Sequence, residues 1–253
     1  MSADPTPTSK PESANLSSNR NPDCTRLRFA NAGKSTMRAI NIVRADRDDL
    51  SALAEINRLA YADELTTKFA LNEKADEKSM FEFFKARLAS RFDHATSELF
   101  KATDPDTHEV VGFACWTLEK GGDEAGGPTP TGGILQQMPP YMNAEFVMAT
   151  GAEIEQLREH MKKEAHYYLS AFAVKPGRQG EGIGSQLLEH CLGMADQAKL
   201  PSWLISFPRA HDLYLRHGFA DVAYKDIDLN KWDRYRFRGY GIYRSCAMAR
   251  QPQ

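Results

Sequence analysis

The stretch HYYLSAFAVKPGRQGEGIG, His166–Gly184, restricts the fold more than any other part of the chain. His166–Val174 is apolar nearly throughout and reads as a fully buried strand. Glycines at 177, 180, 182 and 184 then interrupt the apolar run. Ile183, Leu187, Leu188, Cys191, Leu192 and Ala195 recur at helical spacing, and this helix ends near Ala198. SWLIS, Ser202–Ser206, is a second short strand. Strand, turn, helix and strand make a crossover that is right-handed and sets parallel strands side by side. Gly180–Gly184 then sits at a helix N-terminus, where unpaired N–H groups and the positive end of the helix dipole favour an anion. Glycine lets backbone approach that anion with no Cβ in the way. Lys175 and Arg178 add charge nearby. The turn predicts a phosphate or pyrophosphate cradle; the bland alternative is a turn with no ligand.

The remaining patterns surround this unit. Residues 1–36 are rich in Ser, Pro, Thr and Asn and read as a disordered tail; its late arginines leave a weak organelle-targeting role open. AINIVRA, Ala39–Ala45, alternates like a strand. A helix follows with Leu50, Leu53, Ile56 and Ala60 on one face and Asp48 or Asp49 as N-cap. A second helix is expected from about Lys74 to Phe92, its Met80, Phe83, Phe84, Arg87 and Leu88 stripe reading as core. ELFKAT and EVVGFACWTL flank DPDTH as a hairpin. Glu119–Met142 is Gly/Pro-rich and too long for a simple connector, so it is a mobile lid or a disordered insert. A helix from Asn143 to Lys163 comes next. After the crossover, RAHDLYLRHG is a short helix stopped by Gly218, and DVAYKDIDL and GIYRSCAMA are two last strands.

Composition excludes several classes. With 253 residues, 42% apolar, the chain can bury one large core or two small ones. A formal charge of −2 argues against a dedicated nucleic-acid binder. No stretch approaches the apolar length of a membrane span, and no signal-peptide core stands at the N-terminus. Cys24, Cys115, Cys191 and Cys246 have no metal-ligand spacing and read as buried, reduced thiols. His160 and Glu164 share a helical face without a third ligand, which suits a solvated face better than a metal site. NAGKST, Asn31–Thr36, fails as a phosphate loop because Arg28 stands where the motif needs glycine. The dinucleotide fingerprint fits poorly too: no third glycine follows Gly182 and Gly184, and no acid follows at the right distance.

What does fit is Gln-x-x-Gly-x-Gly at Gln179, Gly182 and Gly184. AVKPGRQGEGIGSQLLEH resembles the acetyl-CoA signature of the GCN5-related N-acetyltransferases (GNAT), in particular fungal small-molecule-type members. LYLRHGF, Leu213–Phe219, resembles the Leu-Tyr-x-x-x-Gly-Phe segment of that family. The match is close from about Tyr167 to Phe219 and looser over Ala39–Leu118.

The resemblance implies an α/β fold: a single GNAT-like domain over 37–250, with a lid-like insertion at about 119–163. Its mixed, roughly seven-stranded sheet would splay between the strands at 167–174 and 203–206, with helices on both faces. Acetyl-CoA would lie in the splay as co-substrate, without a metal. Its pantetheine would pair with Phe172, Ala173 and Val174 as an added strand does, and its pyrophosphate would rest on the turn. The implied cofactor-binding set is Phe172, Ala173, Val174, Arg178, Gln179, Gly180, Glu181, Gly182, Ile183, Gly184 and Ser185. A freed N–H near Phe172–Ala173 would polarise the thioester carbonyl.

Tyr214 is the implied acid beside the leaving thiolate. Histone-type members carry a Glu where this chain has Tyr168, and arylalkylamine-type members carry histidines there and at the position of Ser170. Tyr168 and Ser170 therefore replace the usual base and would position a water chain. Ser206 is another candidate water ligand, while His166 and Glu164 read equally well as a solvated helix end. The acceptor pocket is expected from Tyr61–Met80 and Gly133–Met161. There Tyr61, Phe69, Met138, Tyr141, Met142, Phe146 and Met148 mix with Glu64, Glu73, Glu145 and Glu153, predicting an acidic element for a cationic amine. The implied activity is acetyl transfer to a small-molecule amine by direct attack in a ternary complex. A protein or peptide N-acetyltransferase, a non-catalytic acyl-CoA sensor and a nucleotide-phosphate binder are the alternatives. The expected setting is a monomer or homodimer in the cytoplasm or nucleus, with no nucleic-acid or membrane partner.

Overall fold

The computed structural model describes residues 39–122, 138–161, 163–233 and 239–253, so the tail and most of the Gly/Pro-rich insert lie outside the described residues. The strand patterns assemble into one seven-stranded sheet. β1 (Asn41–Arg44) leads through a 3-10 turn into α1 (Leu50–Tyr61), α2 (Leu65–Ala70) and α3 (Glu77–Phe92). β2 (Ser97–Thr103) and β3 (Val110–Glu119) form the expected hairpin, and α4 (Ala144–Arg158) follows. Next come β4 (His166–Val174), α5 (Ile183–Ala198), β5 (Ser202–Ser206) and α6 (His211–Arg216). β6 (Ala220–Asp228) and β7 (Ile242–Arg250) end the chain's regular structure. The sheet order is β1-β2-β3-β4-β5-β7-β6, and β4–β5 is the parallel pair in an otherwise antiparallel sheet.

Two local features go beyond the sequence pattern. Asp49 holds the N-cap position of α1, as expected, but makes no side-chain bond to the helix; the side-chain cap is one turn earlier, at Asp46. Its side chain accepts from the Asp48 N–H at 2.9 Å, while the Asp49 carboxylate accepts from the Asp46 N–H. This capping box belongs to the 3-10 turn that precedes α1, so the signal sits earlier than the apolar pattern suggests. α2 was not foreseen, because its six residues are too few to show a period.

Helices cover both faces. The apolar stripe of α5 packs on Phe100, Val111, Ala114, Trp116 and Leu169. On the other face, Leu53, Ile56 and Leu88 of α1 and α3 meet Leu99, Phe113 and Cys115. Leu157 of α4 packs with Tyr168, Trp203 and Ala247. Cys115, Cys191 and Cys246 are buried, as their apolar settings predicted.

A bulge in β4 positions the site. Cys115 pairs with Ala171 and Trp116 with Leu169, so Ser170 is an extra residue with no partner of its own on β3. The insertion reverses the phase of the strand. Tyr167 and Leu169 face α5 before it, and Phe172 and Val174 do so after it. Arg91 of α3 holds the bulge, donating to the Ser170 carbonyl at 2.9 Å and to its hydroxyl at 3.2 Å. β4 and β5 pair only at Tyr167–Ser202 and Tyr168–Trp203, then part, while β5 continues along β7 to Ser206–Cys246. The expected splay is present.

Candidate functional site

The splay opens a cavity of about 450 Å³. Every residue of the expected cofactor set lines it except Glu181. The edge of β4 is set by one bond. The Lys175 N–H donates to the Val111 carbonyl at 2.8 Å, which fixes the alternation of the antiparallel ladder. Ala171 and Ala173 therefore turn to β3, and Phe172 and Val174 turn their N–H and carbonyl groups to the open edge. Side chains confirm the phase. Tyr61 Oη donates to the Phe172 carbonyl at 3.3 Å, and Gln179 Nε2 to the Val174 carbonyl at 3.1 Å. The N–H groups facing the splay are thus those of Phe172 and Val174, not Ala173.

The turn has the geometry its glycines implied. Gly180 and Gly182 take φ of 86° and 81°, in the left-handed region, and Gly182 caps α5 with no side-chain bond to its first turn. The N–H groups of Ile183, Gly184 and Ser185 lie in that first turn, beyond reach of helical carbonyls. A Cβ on Gly184 would sit 3.4 Å from the Phe172 ring, so the glycine also lets α5 lie close to β4.

The nearby charges differ from expectation. Arg178 donates to both oxygens of Glu181 at 2.9 Å and to buried Asp104 at 2.9 Å. These partners raise its pKa and make it a strut between the turn and the hairpin. Lys175 pairs with Glu109. Arg178 still lines the cavity, and Arg209 and Arg216, which flank and end α6, add two further cations to its wall. Arg209 also donates to Gln179 Oε1 at 2.8 Å, orienting the motif glutamine. Sequence reading missed both because they belong to the LYLRHGF neighbourhood, far in sequence from the turn.

A second cavity, of about 240 Å³, lies between α1–α4 and the sheet. It shares Tyr61, Phe172 and Phe207 with the first, so the two meet at the open edge of β4. Tyr214, Tyr168 and Ser170 all line it. Tyr214 is buried with its ring edge-on to Phe219 at 5.9 Å, and burial raises its pKa well above the ordinary phenol value. Burial also raises Tyr168, whose ring carries the Arg158 guanidinium at 4.7 Å. The Ser170 hydroxyl is engaged by Arg91 and Thr117.

The wall is not the acidic one anticipated. Tyr61, Met142 and Phe146 line it, but Phe69, Tyr141 and Met138 do not, and Met148 is 58% exposed. None of Glu64, Glu73, Glu145 or Glu153 lines it. Glu64 faces the first cavity and accepts from Tyr243 Oη at 2.6 Å. Met80, Phe83, Phe84 and Arg87, part of the stripe taken for core, face the cavity, as does Arg91. The period of the stripe locates one face of α3 without saying what it faces.

Two polar clusters were also unforeseen. His166 is fully buried, not a solvated helix end; its Nε2 lies 3.2 Å from Glu119. Glu119 also accepts from Arg158 at 2.8 Å. Burial works against the Glu119 carboxylate, but His166 and Arg158 outweigh it and hold its pKa below the usual range. His211 lies 3.3 Å from Ser206 Oγ and 3.5 Å from Asp221, so His211 is part of a contact set and Ser206 faces it instead of the α1–α4 cavity.

Residues 143–221 match the family model described as an acetyltransferase (GNAT) domain. The fold is similar to a structure of histone acetyltransferase HPA2 and related acetyltransferase from Corynebacterium glutamicum. That likeness has 19% identity and a TM-score of 0.58, over 85% of this chain and 97% of that one. It is also similar to the C-terminal condensation domain of Ebony in complex with beta-alanyl-dopamine. Here the identity is 12% and the TM-score 0.63, over 85% of this chain and 100% of that one. The matched segment, residues 143–221, is a GNAT acetyltransferase domain by its family model, and acetyltransferases of that family take acetyl-CoA as co-substrate.

Proposed function

We propose that this protein moves the acetyl group of acetyl-CoA to the amine of a small molecule by direct attack in a ternary complex. The observation that carries the reading is the meeting of the two cavities at Phe172, with Tyr214 on the wall of the acceptor side. The free edge at Phe172 and Val174 suits a pantetheine chain added like a strand. The glycine turn, with Arg209 and Arg216, suits the phosphates. The Phe172 N–H faces the splay and is the candidate donor to the thioester oxygen as charge develops there.

Tyr214 would protonate the departing thiolate; its raised pKa keeps the proton on it until then. No carboxylate among the described residues lines the acceptor cavity. The amine would therefore pass its proton to solvent along the Tyr168 and Ser170 hydroxyls. The small, walled acceptor cavity favours a compact amine over a polypeptide. The test is thiol release from acetyl-CoA across a panel of small amines and N-terminal peptides. Turnover concentrated among small amines is expected. Turnover of peptides alone, or binding of acetyl-CoA with no turnover of any acceptor, would overturn the reading.

A further inference from the structure

We infer that the acceptor amine carries an anionic group of carboxylate geometry that is seated on Arg87 in the α1–α4 cavity. The inference rests on the acetyl-transfer reading and adds the substrate class. Arg87 and Arg91 stand one helical turn apart on α3 and both line the cavity. Arg91 is occupied: it donates to the carbonyls of Arg87 at 2.7 Å and Ser170 at 2.9 Å, and to the Ser170 hydroxyl. All of these partners are neutral.

Arg87 is half-buried, lies over the Phe83 ring at 5.3 Å and forms no ion pair with any described residue. Two guanidinium groups therefore share an apolar cavity whose described lining contains no counter-charge. Buried charges are ordinarily paired, because desolvation without a partner is costly. The cost is visible in Arg87 itself, pushed down to about 10 by burial and by the neighbouring Arg91.

A ligand anion removes the deficit. The guanidinium fork matches a planar carboxylate through two parallel hydrogen bonds. The rest of the lining, including Met80, Phe84, Phe146 and Ile154, fits an apolar body. The substrate so defined has an amine at the cavity junction, an apolar middle and a carboxylate at α3.

Matched pairs test this directly. Thiol release is measured with 4-aminobutyrate against propylamine, 6-aminohexanoate against pentylamine, and 4-(aminomethyl)benzoate against benzylamine. O-phosphoethanolamine against ethanolamine is the phosphate arm. The expected result is a kcat/KM preference of ~10-fold or more for carboxylate-bearing members, set by KM. Arg87→Gln should raise their KM by ~10- to 100-fold and erase the preference, and Arg87→Lys should restore part of it. A calorimetric titration with acetyl-CoA, which reads a cavity that Arg87 does not line, checks that each variant is folded.

Faster turnover of the decarboxylated members, or a preference that survives Arg87→Gln, overturns the anion pairing alone. Preference for the phosphate arm overturns the carboxylate. Silence of every amine while acetyl-CoA binds sinks acetyl transfer itself, and this inference with it.

Discussion

The two cavities that meet at Phe172 are built by opposite means. The larger one is built around backbone, the open edge of β4, the glycine turn and the first turn of α5, with side chains such as Arg209 and Arg216 closing its wall. The smaller one is made of side chains from α1, α2, α3, α4, α6 and four strands. Backbone recognition needs a particular run of conformations, so it occupies one contiguous stretch, Phe172–Ser185. Side-chain recognition needs only that distant residues converge, as Asn57, Arg87, Tyr168 and Ser245 do here. The first can stay constant while acceptors change. The second is where, on the proposed function, a substrate would be chosen.

Four substitutions can break or sharpen that contrast. The largest effect is expected for Glu119→Gln, which takes the buried charge partner from Arg158, the cation lying over Tyr168 in the wall of the smaller cavity, and leaves it only the half-exposed Glu155. Breaking a buried pair of this kind costs about 3–5 kcal/mol, readable by denaturant unfolding. Amine KM should rise more than the acetyl-CoA Kd. The pH dependence follows from the lowered Glu119 pKa. The stabilisation is complete above the ordinary value of about 4.3 and is lost as pH falls through the lower folded value. The variant should lose that part of the acid decline.

Next is Tyr214→Phe, which removes the proposed acid at the junction. kcat should drop by ~100-fold or more with little change in acetyl-CoA Kd. An unchanged kcat would return Tyr214 to a packing role under Phe219.

Arg178→Ala separates strut from ligand on the cofactor side. Asp104 would lose its cation but keep the N–H groups of Asp106 and Thr107, so about 1–2 kcal/mol of stability is expected to go. Acetyl-CoA affinity should suffer less than in Arg209→Ala. The smallest effect belongs to Arg244→Ala, whose pair with Asp226 at 2.7 Å lies at the surface of β6 and β7. It should cost less than about 1 kcal/mol and leave both cavities as they are.

The same contrast explains what could be read from the chain. The sheet was legible because β4, α5 and β5 announce themselves by period and glycine, and the hairpin by its turn residues. Gln179, Gly182 and Gly184 pointed to the larger cavity, which they line, for the same reason. Ser170 was read as a base substitute, but an apolar strand does not show where an extra residue reverses its phase. His166 and Glu119 lie 47 positions apart in number yet pair at the β3–β4 end, which only the register reveals. Arg87 was visible as the odd residue in an apolar stripe. That oddity was the available signal for the cations lining the smaller cavity, and the acidic residues of the neighbouring segments masked it.

The central claim is that the glycine turn and the free edge of β4 bind acetyl-CoA through backbone. Calorimetric titration of acetyl-CoA into the wild type and Gly182→Val tests it most directly. Valine at a φ of 81° is strained and re-aims the N–H groups of Ile183 and Gly184. One-to-one binding by the wild type, weakened ~100-fold in the variant, or about 2.7 kcal/mol, is the result the account predicts. Equal affinities in two folded proteins would contradict it.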